Sequence, residues 1–147
     1  MNYDSEKNKL MMFKLVELHK AIFNKANHII TNTGLEIQVE QLPVMMVIFY
    51  GGTMSQQDMA DKLQRDKSSI FRSISSLEGR GLLAVAKDPF DKRRNLVQLT
   101  KEGKKLADKI ALEISRIDAM LFECLSPEET TTFESLILKC ERYIAGL

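Results

Sequence analysis

The chain has 147 residues, which is enough for one folded domain with a hydrophobic core and an additional interface. Hydrophobic residues make up 44%, charged residues 28% and the formal net charge is +1, a usage typical of soluble globular proteins rather than disordered ones. No run of 18 apolar residues occurs and the polar N-terminus lacks an apolar signal region, so we expect a cytoplasmic chain with no membrane partner.

Apolar residues recur at helical spacing in the N-terminal part of the chain. They predict a first helix from about Asp4 to Ile30, which Asn32-Thr33-Gly34 ends. A second helix is predicted from about Val39 to Phe49. It carries Pro43 in its first turn, where a proline is tolerated because that backbone N–H has no helical partner.

Two short helices separated by a turn follow. Ser55-Gln56-Gln57-Asp58 resembles a capping box and predicts a helix that ends near Leu63. Asp66 is placed to cap the next helix, which ends near Gly79. The connecting turn, from Gln64 to Asp66, has the length of a helix-turn-helix but lacks the glycine often found there.

A predicted β-hairpin comes next. Residues 82–85 and 96–99 are rich in strand formers, and they flank a charged, turn-prone loop from Lys87 to Asn95. This pattern predicts a hairpin with a basic tip, which we call the wing.

Two long helices are predicted at the C-terminal end. Thr100 is placed to cap the first, and Ser126-Pro127-Glu128-Glu129 is a strong start for the second. The fold class is therefore mainly α with a small β-hairpin: a winged helix-turn-helix, 38–99, between N- and C-terminal helices, 4–32 and 100–147.

Charge is unevenly distributed along the chain. Between Ser55 and Lys105 lie twelve Lys/Arg and seven Asp/Glu, a balance of +5, whereas the remainder carries −4. A cationic middle third is what a polyanion-binding surface requires. The alternative is a solvated face of mixed charge.

The second helix of the helix-turn-helix has two different faces. With 100° per residue, Ile70, Ile74 and Leu77 fall on one stripe, which we expect to be buried. The opposite face is small, hydroxylic and cationic, and suits phosphates and base edges. Its predicted DNA contacts are Lys67, Ser68, Ser69, Arg72 and Ser76. A solvated helix surface is the alternative.

The wing supplies the second set of predicted DNA contacts. Lys92, Arg93 and Arg94 lie at or near its tip, where arginines suit the negative potential of a narrow minor groove. We expect Asp88 and Asp91 to hold the loop and to orient the arginines by ion pairing.

No arrangement for catalysis is evident in the sequence. His19 and His28 are nine residues apart and fall on opposite sides of one helix, so we expect no metal site, no cofactor and no enzymatic activity. Cys124 and Cys140 are expected to be buried, inert thiols.

The order and identity of these residues resemble the MarR family of bacterial transcription regulators. In that family a Leu-Glu pair precedes Gly-Leu at the end of the recognition helix. The wing carries the pattern Asp-x-Arg-Asp-x-Arg, and Leu-Thr-x-x-Gly follows it. The matching residues are Leu77-Glu78, Gly81-Leu82, Asp88, Asp91, Arg93, Leu99-Thr100 and Gly103. Two positions depart: Phe90 replaces the first wing arginine, and Phe71 stands where a DNA-contacting threonine is common.

The resemblance implies a triangular homodimer with interlocked first and last helices, and repression relieved by a small-molecule effector or an oxidant. The apolar residues of the terminal helices independently favour a homodimer, since a small winged module cannot cover them all. We therefore expect one chain in which 38–99 form the DNA-binding module and 4–32 and 100–147 form the N- and C-terminal dimerisation helices. Two recognition helices about 34 Å apart would read a pseudo-palindrome on double-stranded DNA. The sequence identifies no ligand-binding residue. The alternative function is a winged helix used for protein–protein contact, without specific DNA binding.

Overall fold

The computed structural model of the protein describes residues 9–147. Within that range the chain forms mostly helices and a small sheet, which confirms the predicted fold class. The elements in chain order are α1 (Met11–Asn32), a 3-10 turn (Val39–Gln41), α2 (Leu42–Gly51), β1 (Met54–Ser55), α3 (Gln56–Leu63), α4 (Lys67–Gly79), β2 (Leu83–Lys87), β3 (Asn95–Leu99), α5 (Lys101–Leu121) and α6 (Pro127–Ala145). The chain divides into two compact units, and the boundary falls within α5, after Glu113.

Helix α1 ends where the sequence predicts. The Thr33 hydroxyl donates a hydrogen bond of 2.6 Å to the carbonyl of Ile30, and Gly34 follows with a φ of +75°. A left-handed residue of this kind directs the chain away from the helix axis, and glycine adopts it without a steric penalty. The predicted start near Asp4 lies outside the described residues.

Helix α2 is the most apolar helix of the first unit. The predicted helix is confirmed, although its first residues, Val39–Gln41, form a 3-10 turn, and Pro43 lies in the first α-helical turn. Val44 and Met45 are fully buried. Because α2 is buried along much of its length, it is the centre against which the helix-turn-helix packs.

The helix-turn-helix forms from α3 and α4, as predicted. The Ser55 hydroxyl accepts a hydrogen bond from the Asp58 N–H (3.1 Å), and the Asp66 carboxylate accepts one from the Ser69 N–H (2.9 Å). In the turn, Gln64 adopts a left-handed conformation with φ 49° and ψ 43°. The turn therefore forms without glycine, at a steric cost of about 1–2 kcal/mol in the backbone of Gln64.

The sheet has three antiparallel strands in the order β1-β3-β2. The predicted hairpin pairs Leu83 with Leu99 and Lys87 with Asn95, and β1 adds the pair Met54–Val97 on the other side of β3. The sequence did not predict β1, because two residues are too few to show a strand periodicity. This strand matters because it links the base of the wing directly to the start of α3.

The core of the first unit joins α2, α3, α4 and the sheet. The predicted stripe of Ile70, Ile74 and Leu77 is buried, which confirms the assignment of the inner face of α4. Met45 and Met59, both fully buried, fill the space beside it. The outer face of α4 is thereby directed to solvent.

A close backbone contact joins β2, β3 and α5. The Thr100 N–H donates to the carbonyl of Leu82 (3.1 Å), and the Thr100 hydroxyl donates to the carbonyl of Gly81 (2.6 Å). The same hydroxyl accepts a hydrogen bond from the Gly103 N–H (3.0 Å), which confirms Thr100 as the cap of α5. Gly103 lies directly against the Leu82 carbonyl, so this junction has no room for a side chain.

The second unit contains the end of α5 and all of α6. Ser126 and Glu129 form the predicted capping box, with hydrogen bonds of 2.9 and 3.2 Å. No residue of α6 is buried within the chain. Cys124 and Cys140 are both exposed, so the prediction that they are buried was wrong.

Among residues 9–147, no helix combines the length and the apolar character that are needed to cross a membrane.

Candidate nucleic-acid interface

The outer face of α4 carries most of the residues predicted to contact DNA. Lys67, Ser68 and Arg72 are exposed, and Ser69 is half-buried near the helix start. Because the opposite face of α4 is anchored in the core, these side chains are presented by a fixed backbone. The arrangement combines small hydroxyl groups with two cationic side chains on one helix.

Ser76 has a contact inside the protein. The buried side-chain amide of Gln41 donates a hydrogen bond of 2.9 Å to the Ser76 hydroxyl. This bond ties the 3-10 turn to the middle of α4. Ser76 remains exposed, but part of its hydrogen-bonding capacity is used in positioning the recognition helix rather than in facing a partner.

Asp88 and Asp91 hold the wing loop through its backbone. The Asp88 carboxylate accepts hydrogen bonds from the N–H groups of Phe90 (2.8 Å) and Asp91 (3.4 Å), and the Asp91 carboxylate accepts one from the Arg93 N–H (3.0 Å). The expected ion pairs from these aspartates to the wing arginines are not present among the described residues. Carboxylates near a turn bind the adjacent N–H groups instead, because those donors need no side-chain ordering.

Arg94 connects the wing to the helix-turn-helix. Its guanidinium donates to the carboxylate of Asp58 (2.6 Å) and to the hydroxyl of Ser55 (3.0 Å). Hydrogen bonding by Ser55, followed by the charge of Arg94, lowers the pKa of Asp58 below its ordinary value. Asp58 is therefore ionised at neutral pH, and we interpret Arg94 as a residue that sets the position of the wing relative to α3 and α4.

The wing and α4 line one cleft of about 240 Å³, here called the wing cleft. Its cationic side chains are Lys67 from α4 and Arg93 and Arg94 from the wing. Phe71 adds an apolar wall. The complete lining consists of Ser55, Gln56, Gln57, Lys67, Phe71, Arg93, Arg94 and Asn95. Residues from two predicted DNA-binding elements thus meet at one place.

Some of the basic residues of the middle third serve the fold. Arg65 donates to the carbonyl of Glu40 (3.2 Å), and Arg80 donates to the carbonyl of Glu36. Both bonds join the helix-turn-helix to the segment between α1 and α2. The positive surplus counted from the sequence therefore overstates the charge available to a partner.

Sequence reasoning missed the residues that position the wing and helix α4. Asp58 and Ser55 were recognised only as helix-capping residues, and Gln41 was not singled out. Asp58 and Ser55 are 36 and 39 residues from their partner Arg94, and Gln41 is 35 residues from Ser76. No local sequence pattern marks contacts at such separations. The only signal in the sequence for the contact with Arg94 was the charge of Asp58 in the first turn of α3, together with the arginines of the wing.

Comparisons with known proteins all point to one family. The sequence model of the MarR family matches residues 37–94. The transcriptional regulator HosA of Escherichia coli O111:H- is 34% identical over 100 residues, which cover 67% of this chain and 73% of HosA. Its similarity thus extends over most of both proteins.

Solved structures have the same fold. BpsR of Bordetella bronchiseptica, whose DNA binding is regulated by 6-hydroxynicotinic acid, has a TM-score of 0.73 and 25% identity, over 87% of this chain and 98% of BpsR. A MarR variant from E. coli in complex with operator DNA has a TM-score of 0.75 and 22% identity, over 88% of this chain and 94% of MarR. The match to the family model across the helix-turn-helix and wing, together with the identity to HosA, shows that this chain belongs to the MarR family.

Proposed function

We propose that this protein is a sequence-specific, duplex-DNA-binding transcriptional repressor that binds a pseudo-palindromic operator as a homodimer. The observation that carries the proposal is the wing cleft, where a recognition-helix lysine and two wing arginines meet. Residues 38–99 are the proposed DNA-binding module. The proposed contacts from α4 are Lys67, Ser68, Ser69, Arg72 and Ser76, and those from the wing are Lys92 and Arg93, with Arg94 in the positioning role described above.

The chemistry of the exposed side chains supports DNA as the partner. Arg72 can bind a guanine edge in the major groove with two parallel hydrogen bonds, and the serines beside it permit a close approach of the backbone. Lys67 and Arg93 suit phosphate oxygens, and each neutralised phosphate makes binding weaker at higher salt. The two kinds of contact therefore have different experimental signatures.

An Arg93→Ala variant is expected to bind duplex DNA more weakly and with a smaller dependence on salt. If each protomer loses one phosphate contact, the slope of log K against log salt falls by about 2 for the dimer. Fluorescence anisotropy across a salt series, with duplex DNA from the region upstream of its own gene, measures both quantities.

Lys104→Ala is the matched control for this experiment. It removes the same charge from an exposed residue that does not line the wing cleft, so its slope should equal that of the wild type. An unchanged slope in Arg93→Ala would remove the wing from the mechanism. Weak binding without duplex selectivity or salt dependence would instead favour a winged helix that contacts proteins.

The exposed apolar residues support the proposed homodimer. On α1, Met11, Leu15 and Leu18 form a stripe at helical spacing, and all three are exposed in the single chain. Helix α6 has a similar stripe formed by Leu136, Ile137, Cys140, Tyr143 and Ile144. We propose that a second copy of the chain covers these stripes. The interface would then be formed by 4–32 and 100–147, and the first residues of 4–32 lie outside the described range.

A cavity in the first unit supports release by a small anionic effector. Its volume is about 330 Å³, and its lining combines apolar walls from Leu82 and Leu106 with the cations Arg80, Lys105 and Lys109 and the carboxylates of Glu36 and Glu102. Because Lys105 pairs with Glu102 (3.3 Å) and Arg80 donates to the Glu36 carbonyl, Lys109 is the cation that we propose for an anionic ligand. An aromatic carboxylate suits this combination of apolar and cationic groups. BpsR, with a similar fold, responds to such a molecule.

Binding of an aromatic carboxylate should stabilise the protein and lower its affinity for DNA. We expect 6-hydroxynicotinic acid and related acids, at about a hundred times their Kd, to stabilise the protein by about 2–3 kcal/mol. This stabilisation corresponds to a rise of roughly 6–10 °C in Tm. Lys109→Met should reduce that rise. Equal rises in both proteins would show that the ligand binds elsewhere.

A further inference from the structure

The wing presents an aromatic side chain to solvent. Phe90 is 98% exposed, which makes it the most exposed of the large apolar side chains within residues 9–147. It lies in the loop between β2 and β3, next to the exposed Pro89. Single exposed apolar residues are common on protein surfaces, so exposure alone assigns no role to Phe90.

Hydrogen bonds within the loop restrain the backbone of the tip. The hydrogen bond from the Phe90 N–H to the Asp88 carboxylate fixes the turn at this residue, and Asp91 fixes the next turn through the Arg93 N–H. The Asp88 N–H also donates to the carbonyl of Arg94 (3.0 Å), which closes the base of the loop. Phe90 is therefore presented by a loop with internal hydrogen bonds, which reduces the backbone entropy that is lost when it binds.

Cationic side chains lie near this aromatic tip along the chain, together with the exposed Asp91. Lys87, Lys92 and Arg93 are exposed on the same loop and its adjoining strand. A nucleic acid groove has the complementary arrangement: two phosphate-lined walls flank a floor of sugars and bases. A phenyl ring cannot bind phosphate, but apolar side chains can enter the minor groove and wedge between stacked bases.

We infer that Phe90 is an apolar wedge that enters the minor groove of the operator while the neighbouring cations bind its phosphate walls. This inference rests on the proposed DNA-binding function and specifies how the wing binds. A wedge opens a base step, which is easiest at a flexible pyrimidine–purine step. Phe90 thus favours such a step beneath the wing, and its contribution to affinity is insensitive to salt.

The absence of tryptophan from the chain allows a direct test. Phe90→Trp places a single indole at the wing tip, and stacking of an indole on nucleobases quenches its fluorescence. Titration with duplex DNA from the region upstream of its own gene should quench the emission at least twofold and protect it from acrylamide. Tyr50→Trp is the control, since Tyr50 is 72% exposed at the end of α2 and does not line the wing cleft.

A second variant tests the energetic part of the inference. Phe90→Ala should weaken duplex binding by about a hundredfold or more, the loss expected for two aromatic–base contacts, one from each protomer of the dimer, with an unchanged salt slope. Phe90→Leu, which keeps an apolar wedge, should bind more tightly than Phe90→Ala.

The outcomes separate this inference from the proposed function. If duplex DNA leaves the Phe90→Trp emission unchanged, or Phe90→Ala binds like the wild type, while Arg93→Ala still lowers the salt slope, the wedge is overturned and the DNA-binding function stands. If the wild type itself shows no duplex binding, both are overturned. If quenching occurs only with a protein partner, the tip is a protein-contact site.

Discussion

A Gly103→Ala variant is expected to lose about 3 kcal/mol of unfolding free energy, the upper end of the range for an overpacked site. A Cβ added at Gly103 would lie 1.9 Å from the Leu82 carbonyl oxygen and 2.8 Å from its carbonyl carbon. Both atoms belong to the backbone, and the carbonyl is also held by the Thr100 N–H, so neither can move without breaking the junction. In thermal unfolding the loss corresponds to roughly 10 °C in Tm.

Gly79→Ala is the matched control for this prediction. A Cβ at Gly79 meets no heavy atom within 4 Å, and Gly79 lies at the end of α4, where alanine is a better helix former than glycine. Its stability should stay within about 1 kcal/mol of the wild type or rise. Equal stability of the Gly103→Ala variant would mean that the β3–α5 junction relaxes without cost, contrary to its backbone geometry.

A Leu136→Glu/Tyr143→Glu double variant is expected to be monomeric and to bind DNA at least a hundredfold more weakly. These residues are 53% and 69% exposed in the single chain and lie on one stripe of α6, so charges there oppose burial by a partner without disturbing the protomer core. A monomer binds one half-site at a time and loses the avidity of linked sites, worth about 10²–10⁴-fold. Sedimentation and anisotropy titrations measure mass and affinity.

The control for the dimer prediction lies on the same helix. Leu138 is 52% exposed but points about 140–160° away from Leu136 and Tyr143 around the axis of α6. Leu138→Glu should therefore affect the dimer much less than the double variant does. If the double variant stays dimeric and keeps wild-type affinity, the C-terminal stripe is not the interface.

Much of the fold could be predicted from local patterns. The helix starts at Ser55, Asp66 and Ser126 follow from capping residues, and the buried face of α4 follows from the spacing of Ile70 and Ile74. Each of these signals lies within a few residues of the structure it determines, because helical hydrogen bonds and caps join near neighbours. The helix-turn-helix and the wing were therefore identifiable from the sequence.

The candidate site was predictable as a set of residue types but not as a set of roles. The expected pairing of Asp88 and Asp91 with arginines was wrong because the backbone N–H groups of the same loop are closer donors. The strand β1 was missed, and with it the proximity of Ser55 to the wing. The first error concerns which of several chemically suitable partners a charged side chain binds. The second concerns a strand that is too short to show a periodicity.

Local periodicity and capping specify where the helices and the hairpin lie along this chain, because their energies depend on residues one to four positions apart. The orientation of the wing depends instead on contacts such as Arg94 with Asp58, 36 residues away, and on the Leu82 carbonyl against Gly103. Such contacts exist only once the core has packed and brought distant segments together. The amino-acid order therefore reveals which elements exist, whereas their packing decides which cations remain available to a binding partner.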